Sequence, residues 1–573
     1  MIKTSFYYRR AIITNPDVIG TNFLLKLFCN DFWGTKIASS NSHGSYRPIS
    51  ILSFRMNHLL GGKQCFFFHV TNMIMHSLVT WLYIKILSTI VKNRRIVGLS
   101  SLLFAIHPIH VEAVSSLVGR AELLAAMFFI LSILVYIKYC HYQKSCRSIP
   151  QPRHLYVCCL FGVLSMFSKE HGILSLPVCV LYHIFFIHRF WPFSKKNFIK
   201  LWKKKEYSSL RKGFTFLSIF TTILLFFRLW IVNFKAPTFS TADNPTSKSS
   251  SVITRSLTFF YLPIFNFYLL IFPYKLSFDW SMEAIPQITT FKDYKNILTL
   301  IFYLFLSLSL MKIFNFYKSF QYETFHREIV STNVPETTKQ TEIFEDINNN
   351  TLTNNNFFDN NFNNENENNN QQTMDNNNDN GSGFPNLMLH YEKIYPFVPL
   401  PQKYPTGYIP EVISRNVSVK KKAKIIDSKI NQLDLVMLSL ILLIVPFILA
   451  TNLFFYVGFV VAERTLYIPS LGYCLLISVG FESLVKRLPR LKRVFEYCFT
   501  ITVIAFALRT FVRNFDWNSE EALYRSGLEI NPAKAFANLG SVLDSRGNKY
   551  DAENAYRQAL IHRPNMADVH YNL

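Results

Sequence analysis

The sequence predicts an all-α, polytopic membrane protein that ends in the start of an α-solenoid. Three observations carry that prediction. Half of the 573 residues are hydrophobic and only 17% are charged, where a soluble domain carries about a quarter. Apolar stretches close to the roughly 20 residues that cross a bilayer recur along the chain. Near the carboxy terminus, "YRSGLEINP" at 524–532 returns as "YRQALIHRP" at 556–564.

The elements follow in order. Residues 1–68 are polar for the most part and read as a loop outside the cytosol. Within them, 1–30 hold no apolar stretch of spanning length and no signal peptide. Apolar segments at 69–91, 95–112, 121–140, 154–169, 172–190, 213–234, 257–273 and 295–314 build a membrane core over 69–314. Three more, at 432–452, 466–485 and 494–512, follow a long polar loop at 315–431.

The formal charge of +24 does not imply a polyanionic partner. The basic residues fall in short loops, such as "KNRR" at 92–95, "KKNFIKLWKKKEYSSLRKG" at 195–213, "KKKAK" at 420–424 and "KRLPRLKR" at 486–493. Lys and Arg collect on the cytosolic side of spans, and no nucleic-acid recognition motif accompanies them. No nucleic acid is expected. Keeping these runs in the cytosol leaves ten full spans, provided that 257–273 re-enters or lies along the outer surface. Its Pro263 and Asn266 suit an irregular segment buried against protein. Residues 513–573 then lie on the same side as 1–68.

From 346 to 381 the long loop is mostly Asn with Asp and Glu. Such a tract buries too little apolar area to offset its ordering entropy, so disorder is expected. The sequons at Asn349 and Asn416 lie in this loop and are expected to stay unmodified. The nine cysteines show no metal-ligand spacing. Only Cys29 and Cys65 share a loop outside the cytosol, either as a disulfide or as two free thiols.

At the carboxy terminus, 533–566 has the 34-residue length of a tetratricopeptide repeat. Gly540, Gly547, Ala552, Ala555, Tyr556, Ala559 and Pro564 occupy the positions such a repeat requires. A further repeat begins at 567. One repeat and two fragments do not make a stable solenoid, so the natural protein is expected to continue.

Five blocks precede the repeats: "NDFWGT…SHGSYRPISILSFRMNHLLGG", "FAIHPIHVEAVSSLVGRAELLA", "SKEHGI", "LTFFYLPIFNFYLLIFPYKLSFDWSMEAIP" and "AERTLYIPSLGYCLL". In this order the chain resembles the transmembrane and tetratricopeptide-repeat containing O-mannosyltransferases of the endoplasmic reticulum. The resemblance implies a C-type glycosyltransferase-like helical bundle and places 1–68 and the repeats in the lumen. It implies a lipid-linked donor, dolichyl phosphate mannose, and Ser or Thr acceptors on secretory-pathway proteins such as cadherins. No cofactor is implied.

The residues give such chemistry a physical basis. An anionic sugar phosphate arriving from the bilayer must be met at the luminal ends of spans. Arg47, Arg120, Lys169, Arg228 and Arg464 are the candidate phosphate partners, since intramembrane charges are functional by default and Arg suits bidentate phosphate contacts. Glu463 and Tyr467 are expected to orient Arg464. His107, His110 and Glu112 in "HPIHVE" are candidates to orient acceptor or phosphate. The His-x-x-His spacing lacks a third ligand, and no metal site is expected. Trp280 with Asp279 reads either as a sugar-stacking pair or as interfacial anchoring.

Transfer to a hydroxyl calls for a base, usually a carboxylate. The resemblance assigns that role to an Asp-Asp pair in the first luminal loop, where Tyr7 and Tyr8 stand here. Tyr, with an unperturbed pKa near 10, replaces a carboxylate base poorly. The expected first span is also missing, so either the sequence starts late or the protein is an inactive relative. Asp31 is the nearest remaining luminal acid and reads as an acceptor-site or supporting residue. Two functions stay open: the transferase, and a non-catalytic membrane scaffold whose luminal repeats bind client proteins.

Overall fold

The computed structural model describes residues 9–145, 152–188, 199, 201–203, 207–234, 240–332 and 432–573. The Asn-rich tract, both sequons, Tyr7 and Tyr8 lie outside them. The described residues up to Ser319 and from 432 onward belong to one compact unit; a second, Phe320–Ile426, contributes only the end of a helix. Among the described residues the secondary structure is helical, with one isolated antiparallel bridge between Asn30 and Lys36.

The amino-terminal region folds over helix α1 (Pro48–Gly61), and the bundle then runs α2 (Cys65–Ile90), α3 (Arg94–Ile106), α4 (Arg120–Ser145) and α5 (Pro152–Ser168). The Asn93 side chain caps α3 by accepting from the Arg95 amide at 2.9 Å. Pro108 ends α3, because the residue before proline is pushed out of helical geometry. His107 accordingly sits at ψ 126°, and the chain bends by 47° into Pro108–Ser115. Helix α6 (Ser175–Tyr182) continues to Ile187, and α7 (Ser208–Ile231) follows.

Helix α8 (Val252–Ile271) starts at a Ser251 cap and runs unbroken through Pro263. The irregular geometry expected here is absent. Asn266 donates to the Leu262 carbonyl at 2.8 Å within the helix, while its Oδ1 is buried without a hydrogen-bond partner. Helices α9 (Lys295–Thr332), α10 (Gln432–Ala450), α11 (Pro469–Arg487) and α12 (Lys492–Asp516) complete the bundle.

Seven of the described helices are long and apolar enough to cross a membrane, or eight if the bent pair at 94–115 counts as one span. Their burial sorts them. The apolar window of α4 is 67% buried, whereas those of α9 and α12 are 6% buried and present their apolar side chains outward, as lipid requires. Helix α11 sits among the others: a Cβ on Gly472 would lie 2.3 Å from the α10 backbone, and Tyr83 of α2 donates to the Leu471 carbonyl at 2.6 Å.

Beyond α12 come α13 (Glu520–Ser526), α14 (Pro532–Ser545), α15 (Lys549–His562) and the short α16 (Ala567–Asn572). Helices α14 and α15 pack as the repeat pattern requires. Gly540 leaves room for the Tyr556 ring, which a Cβ would approach to 2.6 Å, while Leu539, Leu543, Ala555 and Ala559 fill the interface.

Candidate functional site

A cavity of about 220 Å³ opens where one end of the bundle meets the first repeat. Besides Lys534 of the repeat, three cations reach its wall from different parts of the bundle: Arg47 before α1, Lys169 after α5, and Arg464 before α11. Each is held by a different glutamate. Arg47 forks onto Glu170, with Nε and Nη2 donating at 3.1 and 2.9 Å to Oε2. Lys169 pairs with Glu122, and Arg464 with Glu112, which also accepts from the Arg464 amide at 2.8 Å. Arg228 stands behind Arg47, donating to Glu170 at 3.3 Å and to the Gly44 carbonyl at 2.9 Å. Pairing with these glutamates fixes the three cations in place.

Aromatic rings supply the apolar part of the wall. Trp280 is 5% exposed, and its indole donates to Glu463 at 3.0 Å. The same oxygen of Glu463 accepts from the Ser277 amide at 2.6 Å, so one carboxylate holds the loop that carries Trp280. Burial pushes the Glu463 carboxyl up to about 7; Arg513 opposes the shift and Glu112 adds to it. Asp279, next to Trp280, pairs with Lys534 of α14 at 2.8 Å. Burial works against its charged form, but Lys534 and the Ser281 hydrogen bonds outweigh that and hold its carboxyl below the usual value.

That pair belongs to a latch between the bundle and the repeat. Asn531 donates to the Ser281 carbonyl at 3.0 Å, and Phe278 meets Tyr524 edge to face at 5.1 Å. Tyr524, Lys534 and Asn538 therefore form a wall of the cavity, facing the three cations.

The family described as "Protein O-mannosyl-transferase TMTC, DUF1736" matches residues 233–307, the segment that carries Asp279 and Trp280. Protein O-mannosyl-transferase TMTC2 of Homo sapiens is 38% identical over 566 residues, covering 98% of this chain and 60% of the relative. The chain resembles the protein O-mannosyl-transferase TMTC proteins. Protein O-mannosyl-transferase Tmtc1 of Drosophila melanogaster is 34% identical over 584 residues, covering 100% of this chain and 61% of the relative. The chain thus spans about 60% of the length of these curated relatives. No solved structure matches it.

Within this chain the residues singled out by sequence separate into two groups. Arg47, Lys169, Arg464, Glu112, Asp279 and Trp280 come together on the cavity wall, although up to 417 positions separate them (464 minus 47). The others do not line it. Arg120 is fully buried: it donates to the Asn72 side chain at 2.8 Å, to the Asn57 side chain and to the Phe68 carbonyl at 2.9 Å, and it lies 4.6 Å from the Phe54 ring centroid. A guanidinium so enclosed ties α1, α2 and α4 together and is closed to a phosphate.

The two histidines also turn inward. The Ile109 amide donates to His107 Nδ1, so His107 Nε2 donates to the Leu270 carbonyl of α8 at 3.0 Å. His110 Nε2 meets Ser470 at 2.8 Å. Their role is to seat α3 and its bend against α8 and α11. Among the described residues no group of three or more His, Cys, Asp or Glu is placed to hold a metal ion. Cys29 and Cys65 are free thiols.

Asp31 organises its loop. It accepts from the Trp33 and Thr35 amides at 2.9 and 3.0 Å, and from Ser42 and the His43 amide at 2.8 and 3.0 Å. With its oxygens so engaged, Asp31 serves by setting Trp33 on the cavity wall. The expected partners of Arg464 need correction as well. Glu463 turns to Ser277 and Trp280, and Tyr467 shares a hydrogen bond of 2.7 Å with His76. Neighbours in the tight turn Glu463–Leu466 diverge in direction, so adjacency in sequence did not become contact. Sequence reasoning missed Glu122 and Glu170 as partners and the first repeat as a wall; the block "SKEHGI" held the only local hint.

Proposed function

We propose that the chain is the membrane part of a protein O-mannosyltransferase that moves mannose from dolichyl phosphate mannose to Ser or Thr of secretory-pathway proteins. The supporting observation is the convergence of Arg47, Lys169 and Arg464 on one cavity beside Trp280. Their charge suits the phosphate of a lipid-linked donor, the indole offers a face for a sugar ring, and the repeat gives a protein acceptor a wall to meet. The endoplasmic reticulum membrane, with the repeats in the lumen, is the location this reading requires. The relatives carry the name protein O-mannosyl-transferase.

A second reading, a non-catalytic scaffold that binds clients through its repeats, has one observation behind it: Tyr7 and Tyr8 stand where the family's paired acids are expected. The two separate in membranes lacking other protein O-mannosyltransferases. Supplied with labelled dolichyl phosphate mannose, the transferase puts mannose on Ser and Thr of luminal proteins, and Arg47→Ala with Arg464→Ala abolishes it. Absence of transfer both by the chain and by a form whose residues 1–8 are replaced with a family-type span and Asp-Asp leaves only the scaffold.

A further inference from the structure

We propose that Asp243 is the general base that activates the acceptor hydroxyl. The inference rests on the transferase reading above. It addresses what that reading lacks, a carboxylate to take the acceptor proton.

Three carboxylates line the cavity: Glu112, Asp243 and Asp279. Glu112 is committed to Arg464 and Asp279 to Lys534. Asp243 is the one whose side chain takes part in no hydrogen bond or ion pair among the described residues. A base must have a lone pair to offer, and a carboxylate already shared with a cation is a weaker proton acceptor.

Asp243 is also held firmly, which its place in a loop would not suggest. On one side, the Ala242 carbonyl accepts from the Met282 amide at 2.7 Å, joining this loop to the Trp280 segment. Met282 adopts a positive φ of 56° to make that bond, an unusual conformation for a residue with a side chain. On the other side, Asn244 is fully buried and donates to Asn452 at 3.0 Å and to the Val457 carbonyl at 3.1 Å. The Asn244 side chain also caps the short turn that follows, accepting from the Ser247 amide at 3.2 Å. The Asp243 amide donates to the Ser240 carbonyl at 3.1 Å. With both neighbours fixed, a half-buried carboxylate with no partner among the described residues is presented to a cavity whose two other carboxylates are paired with cations. Positioning of this kind is what general-base catalysis needs.

The step balances. The acceptor hydroxyl gives its proton to the Asp243 carboxylate while its oxygen bonds to the anomeric carbon of mannose. The bond from that carbon to the donor phosphate oxygen breaks, and its electron pair leaves on the phosphate. The added negative charge is met by Arg47, Lys169 and Arg464. The Asp243 proton then passes to solvent.

The test is Asp243→Asn in the full chain, in membranes lacking other protein O-mannosyltransferases, with donor concentration varied. The unmodified chain transfers mannose, and the variant loses kcat by about a hundredfold or more at normal abundance and unchanged KM for the donor. In Asp243→Gly, added formate restores part of the lost rate. Unaltered transfer by Asp243→Asn overturns the assignment and leaves the transferase reading standing. So does transfer that appears only when residues 1–8 are replaced by a family-type span and Asp-Asp, because the base then lies there. Absence of transfer in both forms removes the transferase reading and this assignment with it.

Discussion

Arg464 is held by Glu112, 352 positions earlier in the chain, and not by the Glu463 that precedes it. The pairing joins the bend after α3 to the turn before α11 and leaves the Arg464 side chain 36% exposed on the cavity. Arg464→Lys keeps the charge and loses the planar fork. Transfer is expected to fall by on the order of 2–4 kcal/mol in transition-state stabilisation, as for other preorganised donors, with protein level unchanged. Kinetics like the wild type in a normally abundant variant would remove Arg464 from the site.

Arg120 should behave in the opposite way. Its removal leaves Asn57, Asn72 and two backbone carbonyls facing a buried gap. Arg120→Met is expected to cost on the order of 3–5 kcal/mol of stability, as does breaking other buried charge networks. Abundance and apparent Tm in detergent should drop, and the surviving protein should keep its KM for the donor. A stable variant with a raised donor KM would return Arg120 to the list of phosphate partners.

Glu463 gives a pH dependence whose sign follows from its carboxyl being raised from the ordinary 4.5 to about 7. Between those values the folded protein holds a proton that the unfolded chain releases, so stability falls as pH rises through that window. Apparent Tm should be higher near pH 5 than near pH 8. In Glu463→Gln, which stays neutral, this component of the difference should vanish. Equal pH profiles for the two proteins would show that Glu463 does not titrate there.

The distribution of basic residues makes a claim about sidedness. In a glycosylation-site scan, acceptors placed at 235–256 or after 513 should be modified, and Asn349 and Asn416 should not. Glycan on Asn416 would mean that α8 crosses the membrane and that the repeats face the cytosol.

Composition and pattern were enough to read the all-helical membrane class and the close helix pair near the carboxy terminus, because each depends on local sequence, whereas the stretch 1–68 read as a loop carries helix α1. Hydrophobic length marks a span wherever it lies, and the small residues at 540, 552, 555 and 559 mark a close helix pair by spacing alone. The motif blocks also held the cavity cations Arg47, Lys169 and Arg464. What they could not give was partnership. Arg120 and Arg47 look alike in sequence, yet one is sealed among Phe54, Asn57 and Asn72 while the other opens onto the cavity. Glu463 adjoins Arg464 but binds Trp280 instead. Side-chain direction at a bend, and the meeting of segments hundreds of residues apart, follow from how the helices pack. Whether a charge is buried, paired or offered to a ligand was therefore decided by the tertiary structure alone.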